Sequence, residues 1–378
     1  MAWSAHQSDD RIQEHFADSQ TLEKQAEEMA KLIRSSQHFV AFTGAGVSTA
    51  AGIPDFRGPQ GVWTLRAQGK EPSFRTSTIE ALPTFSHMAL KTLEAAGLLK
   101  FLISQNCDGI HRRSGFPPEK LAELHGNSNL EVCRACGRQY FRDFRCGSHR
   151  DHHMTGRKCV ECGKPLYDSI INFGENLPEK PLREGFAHSK AADLMLVLGS
   201  SLTVTPAADM PRSVAERGQK LVVCNLQKTP LDEGCAMRVF AKTDDFMQRV
   251  MAKLGLAVAP WKLVRRVQLR LDRSLRGDEN SQKIIVAGVE PDGTPATIFS
   301  KVQMISKEHG KQVEMTQEPF QLRLRNPQSQ VTVSVRLHFM GHYHEPPLDL
   351  EATLTDGSIQ KYRLEFDLQQ GSWSVTQL

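Results

Sequence analysis

Residues 43–63 read TGAGVSTAAGIPDFRGPQGVW. The apolar HFVAF (38–42) ahead of them reads as a buried strand, and Gly44, Ala45 and Gly46 give the backbone freedom for a tight turn. Ser48 and Thr49 follow where a helix would start. A strand, a glycine turn and hydroxyls in that order predict a cradle for phosphate. Asp55, Phe56, Arg57 and Trp63 are surplus to such a cradle, and core packing is the plain alternative for the two aromatic rings.

Two further apolar runs end in turn residues. LMLVLGSSL (194–202) stops at Gly199, Ser200 and Ser201, and KLVVCNLQ (220–227) stops at Asn225, Leu226 and Gln227. Upstream, LEKQAEEMAKLIR (22–34) spaces Leu22, Ala26, Met29 and Ile33 as one face of an amphipathic helix. Short apolar strands alternating with helices predict an α/β fold with a doubly wound, parallel, Rossmann-like sheet. Ligands of such sheets sit at the C-terminal strand ends, where all three turn clusters would lie.

The chain has 378 residues, enough for two cores. No apolar run approaches the ~20 residues of a membrane span, so no membrane partner is expected. The polar N-terminus MAWSAHQSDDRIQEHF lacks the order of a secretory signal, which predicts an intracellular chain. Net charge is +4 without a block of like charges, so direct nucleic-acid binding is not indicated and no basic localisation run is present. After Ala259-Pro260 the texture changes to alternating segments such as QKIIVAGV and VTVSVRLHF, which predict an all-β domain, a sandwich of nearly balanced charge.

All eight cysteines fall between Cys107 and Cys235. Such clustering in an intracellular chain favours metal over disulfides. Cys133 and Cys136 form one CxxC knuckle and Cys159 and Cys162 another, with 22 residues between them, and each is followed by glycine (Gly137, Gly163). Four thiolates predict one closed, structural zinc per chain; two redox-active dithiols are the alternative. Cys146, His149, His152 and His153 could compete as ligands but read as solvated loop residues. His338, His342 and His344 would share a strand face with Met340, read as solvated or half-buried in preference to a metal site. Cys224 and Cys235 read as interior residues.

GAGVST, GIPDFRGPQGVW, SQNCDGIHRRSG, LAELHGN, the two CxxC pairs, NFGE, GSSLTVTP and VVCNLQ occur in the order found in sirtuins. Residues ~20–258 therefore resemble that family of NAD-dependent protein deacylases. The GVW after DFRGP and the spacing of SQNCDGIHRRSG look most like the nuclear class IV branch, which includes sirtuin 6 and sirtuin 7, and NFGE looks nearer to sirtuin 7. The resemblance implies a catalytic domain over 22–258 with a zinc module inserted at about 126–175. Segment 1–21 precedes it. Nothing carries over to 262–378, whose role and partner stay open.

The resemblance also implies site roles. Gly44, Ala45, Gly46 and Thr49 would hold the pyrophosphate of the co-substrate NAD. Asp55, Phe56, Arg57 and Trp63 would enclose the nicotinamide ribose. Gln105, with Asn106 and Asp108 as catalytic residues, would hold ribose hydroxyls and the carboxamide. Gly199, Ser200, Ser201, Asn225, Leu226, Gln227 and Thr243 would contact phosphate and adenosine. Cys107, where family members usually have an aliphatic residue or Val, reads as a buried small hydrophobe. His125 would be the general base. In the implied course the acyl-lysine oxygen attacks the nicotinamide-bearing ribose carbon and nicotinamide leaves. A neighbouring hydroxyl, activated by His125, then takes the acyl group. Peptide would add itself as a strand between Phe173-Gly174 and the stretch after Ser201. Acyl-lysine proteins, histones among them, and a nuclear location with the cytoplasm as alternative come from the resemblance alone. Mono-ADP-ribosyl transfer at the same site and a chromatin- or partner-binding scaffold stay open.

Overall fold

The structure is a computed structural model that describes residues 12–73, 76–147, 152–273 and 281–378. His149 and residues 1–11 of the expected N-terminal segment lie outside them. Among the described residues no helix is long and apolar enough to cross a membrane. The chain forms two compact units, residues 1–128 with 168–261, and residues 129–167 with 262–378.

In the first unit, helix α1 (Ser19–Ser35) starts where the Asp18 carboxylate accepts the Thr21 N–H, and it buries Leu22, Ala26, Met29, Ala30 and Ile33. Strands β1 (Phe39–Thr43), β2 (Leu99–Ser104) and β3 (Leu121–Glu123) follow in the chain. After the zinc-module strands β4 (Leu130–Val132), β5 (Gln139–Phe141), β6 (Met154–Lys158) and β7 (Pro165–Asp168) come β8 (Leu194–Leu198), β9 (Lys220–Cys224) and β10 (Met237–Val239). The order β10-β9-β8-β1-β2-β3 is parallel throughout. Residues of β1 alternate between two cores: Phe39 and Ala41 pack with Leu22, Leu196 and Phe246, whereas Val40 and Phe42 pack with Met195, Val197 and Met210. Burial on both faces is why these strands read as unbroken apolar runs.

The later strands end earlier than their apolar runs, at Leu198 and Cys224, because the backbone turns out of β8 at Gly199 with φ +62°. A Cβ on Gly199 would stand 2.5 Å from the Val47 nitrogen, one on Gly46 2.8 Å from the Gly199 Cα, and one on Gly44 2.7 Å from the Gly199 carbonyl oxygen. Donation from the N–H groups of Gly44 to Leu198 (3.0 Å), Gly46 to Gly199 (2.9 Å) and Gly199 to Cys224 (2.9 Å) joins the ends of β1, β8 and β9. The expected helix start after Gly46 is instead two single 3-10 turns, Ala45–Val47 and Thr49–Ala51.

In the second unit β5-β4-β7-β6 form the zinc-module sheet. The expected sandwich is built from β11 (Leu263–Arg273), β12 (Ser281–Val289), β13 (Pro295–Ala296), β14 (Phe299–Ser306) and β15 (Lys311–Met315), then β16 (Phe320–Arg325), β17 (Gln330–Phe339), β18 (Leu348–Thr355), β19 (Ile359–Asp367) and β20 (Ser372–Gln377). One sheet runs β13-β12-β11-β19-β20 with β16 beside β12, and the other runs β15-β14-β17-β18. Val267, Ile284, Leu322, Val302, Val333 and Leu354 share the core between them. The three histidines do not share a strand face, since β17 ends at Phe339 and the chain turns through His342 and His344.

Gly199→Ala should destabilise the chain more than Gly46→Ala. Overpacking costs ~1–3 kcal/mol at either site, and the positive φ adds ~1–2 kcal/mol at Gly199. Denaturant midpoints equal to wild type in both variants would show that the contact accepts a methyl group.

Candidate active site and zinc module

At the C-terminal edge of the parallel sheet the turns after β1, β8 and β9 lie side by side, and the residues after β2 and β3 extend that edge. Ser48 is fully buried and donates to Asp108 Oδ2 at 2.7 Å, while Asp108 Oδ1 accepts the Ile110 N–H at 2.9 Å. Asn106 Nδ2 donates to the Gly44 carbonyl at 3.1 Å. Ser200, 3% exposed, donates to Gln105 Oε1 at 2.7 Å. Ser48 and Ser200, read as phosphate contacts, thus support the carboxylate and amide of the SQNCDG loop. Thr49 is exposed and donates to the Gly46 carbonyl at 3.0 Å. Cys107 is half-exposed, contrary to its reading as a buried hydrophobe.

His125 follows β3. Two residues before it, Glu123 accepts from Arg112 at 2.7 Å and from Asn127 at 2.6 Å, and the His125 carbonyl accepts the Ile171 N–H at 3.2 Å. Its Nδ1 stands 2.9 Å from the Gln105 carbonyl oxygen. A carbonyl can only accept, so Nδ1 carries the hydrogen and the neutral ring keeps its lone pair on Nε2. Burial pushes this imidazole below its ordinary value, with the Gln105 carbonyl partly opposing. The ring is therefore a neutral base at pH 7.

The Asp55–Trp63 loop is closed by the Val62 N–H on the Asp55 carbonyl (2.9 Å) and the Trp63 N–H on the Phe56 carbonyl (2.8 Å). Burial pushes the Asp55 carboxyl up and the Arg57 guanidinium down. Phe56 is 43% exposed, so core packing does not explain it. Its ring stacks on Trp63 at 6.0 Å, and Trp63 meets Phe173 at 6.4 Å. Phe173 and Gly174 are not in a strand. They form a turn in which the Asn172 N–H donates to the Glu175 carboxylate at 2.6 Å, and the stretch after Ser201 is likewise irregular.

At the far end Asn225, Leu226 and Gln227 follow β9. The Gln227 amide donates to the carbonyls of Ile12 (3.1 Å) and Arg57 (3.0 Å), and the His15 N–H donates to Leu226 (2.9 Å). Thr243 is buried at the first position of the helix Thr243–Leu254. Sequence reading missed Arg238. Its guanidinium donates to the carbonyls of Asn225 (2.8 Å) and Val239 (2.7 Å) and to that of Gln227, pairs with Asp232 (2.8 Å), and covers the Phe240 ring at 3.9 Å. A cation in the middle of the short strand MRVF was the available signal.

In the second unit the Sγ atoms of Cys133, Cys136, Cys159 and Cys162 lie within 4.8 Å of one another, with Cys133–Cys162 at 3.4 Å and Cys136–Cys159 at 3.6 Å. Tetrahedral thiolates ~2.3 Å from zinc stand ~3.8 Å apart, so the donor set fits zinc. The knuckles are built alike. The Cys133 N–H donates to Arg138 (2.9 Å) and the Cys159 N–H to Lys164 (2.8 Å), with Gly137 at φ +75° and Gly163 at φ +70°. The Tyr140 hydroxyl, 3.1 Å from Cys159 Sγ, is the largest cause of that thiol's fall to about 6. Cys146 is buried apart from the four instead of solvated, and among the described residues no histidine joins them. Beneath them the fully buried Glu131 accepts from Arg142 (2.7 Å) and Arg157 (2.6 Å).

The family model described as the Sir2 family matches residues 72–206. The chain is similar to the NAD-dependent protein deacetylase SRT1 of Arabidopsis thaliana, 40% identical over 84% of this chain and 68% of that one. It is 43% identical to the NAD-dependent protein deacetylase sirtuin-7 of Mus musculus, over 66% of this chain and 64% of that one. It is 35% identical to the NAD-dependent protein deacetylase of Thermotoga maritima, over 61% of this chain and 98% of that one.

Two outcomes follow from the site. His87 and His111 are buried with ring centroids 4.6 Å apart, and burial pushes both down to about 3. An unfolded chain takes up these protons below ~6.5, the native one only near 3, so stability present above 6.5 is lost as pH falls through that window. His87→Gln should flatten the fall of the denaturant midpoint between pH 7 and 5; an unchanged slope would contradict this. Separately, chelation of zinc should unfold 129–167 and abolish activity, read by proteolysis within that segment, because metal binding and folding are coupled. Full activity with zinc shown to be absent would refute it.

Proposed function

The chain belongs to the Sir2 family, and on that premise we propose how its residues carry out NAD-dependent deacetylation of protein lysines. The observation that carries the assignment is His125, a neutral base whose tautomer is fixed by the Gln105 carbonyl at 2.9 Å, at the same sheet edge as Asn106 and Asp108. NAD, when bound, supplies the ADP-ribose that accepts the acyl group, with nicotinamide and free lysine as the other products.

The residues of this chain divide the work by position. The turns built on Gly44, Ala45, Gly46, Gly199 and Ser201 line the place of the pyrophosphate, the three glycines spending their own N–H groups on the strand ends they join. Asn225 to Gln227, with Thr243, take the adenosine end. Asp55, Phe56, Arg57 and Trp63 enclose the nicotinamide end, where Phe56 excludes water from the reacting carbon. Asn106 and Asp108, held by Gly44 and Ser48, orient the ribose hydroxyls and the carboxamide. His125 Nε2 takes a proton from a ribose hydroxyl as that hydroxyl attacks the acyl carbon. An extended peptide lies between the Phe173-Gly174 turn and the stretch after Ser201, held chiefly through its backbone. Nuclear protein substrates, histones among them, and a nuclear location are part of the same proposal, on the motifs shared with the class IV branch.

The test uses NAD labelled in its adenosine half with an acetyl-lysine peptide. Label is expected in O-acetyl-ADP-ribose; label on protein with the acetyl group retained would favour ADP-ribosyl transfer instead. His125→Tyr should lower turnover ~10²–10⁴-fold with an unchanged fold. Wild-type turnover in that variant would remove His125 from the mechanism.

A further inference from the structure

We propose that the β sandwich of residues 262–378 is a built-in brace for the zinc module, with the Asp143–Arg265 ion pair as its central tie. The two belong to one compact unit. Arg265, on β11, donates through Nη2 to Asp143 Oδ2 at 2.6 Å, and the two side chains are only 11% and 9% exposed. Asp143 lies two residues after β5 and is held a second time: His342 Nε2, in the turn after β17, is 2.7 Å from its carbonyl oxygen. The sandwich thus grips one residue by both carboxylate and backbone, from a strand and from a separate turn.

Two further ties reach toward the cysteines. Arg138 closes the first knuckle through its carbonyl, and its Nη1 donates to Thr294 Oγ1 at 2.8 Å. Thr294 is itself fixed, since its N–H and hydroxyl both donate to Asp292 at 2.9 Å. Arg142 donates to Thr297 Oγ1 at 3.3 Å, covers the Tyr140 ring at 4.8 Å, and pairs with Glu131. Tyr140 in turn bonds Cys159 Sγ. One path from sandwich to sulfur therefore runs through Arg138 and the other through Arg142 and Tyr140. Outer-shell partners of metal ligands orient them, and losing one typically costs 10–100-fold in affinity.

The Thermotoga maritima relative is matched over 98% of its length by 61% of this chain, too little to span both the catalytic domain and the whole sandwich. The match to Arabidopsis thaliana SRT1 spans 84% of this chain, too much to fit within residues 1–261, so it reaches into the sandwich. In this chain the module has an intramolecular partner in the sandwich.

The experiment measures zinc transfer from the zinc-loaded full chain to a chromogenic chelator, after metal analysis has established one zinc per chain. Arg265→Met and Arg138→Met should each release zinc several-fold faster, less than the ~10–100-fold typical of a direct partner of a metal ligand, and Arg265→Lys should recover part of the difference. Arg273→Met, which breaks an exposed pair with Asp356 elsewhere in the sandwich, should release zinc at the wild-type rate. Should Arg265→Met fail to fold, His342→Leu removes only the bond to the Asp143 carbonyl and is expected to speed release in the same direction. Wild-type release from folded Arg265→Met or His342→Leu overturns the brace, as does equal acceleration by Arg273→Met. A chain that holds no zinc overturns the zinc assignment and the brace together, which separates the two failures.

Discussion

Gly44, Gly46 and Gly199 touch backbone to backbone, and the floor of the cleft follows from that contact. With no Cβ between them, the turns after β1 and β8 approach closely enough for direct amide–carbonyl bonds. That approach buries Ser48 where it meets Asp108, and it sets the Gly44 carbonyl where Asn106 can donate to it. Asp108 then orders the turn into the short helix Ile110–Arg113 by accepting the Ile110 N–H. The groups assigned to ribose and carboxamide are thus fixed by a network that begins at three missing methyl groups. A buried and satisfied network of this kind rigidifies its members.

The sheet was legible in the sequence because its strands are buried on both faces and end at turn residues. HFVAF, LMLVL and KLVVC needed no partner to be read as strands. The cysteine spacing and His125 were legible because their chemistry is local in sequence. The roles of Ser48 and Ser200 were not: a hydroxyl beside a glycine turn looks like a phosphate donor, and only the fold brings Asp108 and Gln105 from 60 and 95 residues away. The histidines of HFMGHYH were misread for a similar reason. Alternation was extended past Phe339, where Gly341, at φ +81°, turns the chain out of the strand. Arg238 escaped because most of its partners are backbone carbonyls, which leave no mark on composition.

The zinc module shows how little of a domain boundary lies in the order of the chain. Residues 129–167 are inserted within the catalytic sequence, yet they pack with a sandwich that begins nearly 100 residues later. The buried Glu131 with its two arginines illustrates the electrostatics this requires. A carboxylate taken fully out of water is tolerated only when paired and hydrogen-bonded, and breaking such a pair typically costs 3–5 kcal/mol. Arg142 meets that requirement and also reaches Thr297, so one guanidinium serves the interior of the module and its junction with the sandwich.

The Gln227 amide joins two ends of the cleft, for its two hydrogens are spent on the Ile12 and Arg57 carbonyls. Any swing of the Asp55–Trp63 loop that withdraws the Arg57 carbonyl breaks this bond to the turn after β9, and a buried donor left unmet costs ~1–3 kcal/mol. Energetic coupling between two sites is reciprocal. The turn after β9 and the Asp55–Trp63 loop, proposed to hold the two ends of NAD, therefore share one hydrogen-bonded tether.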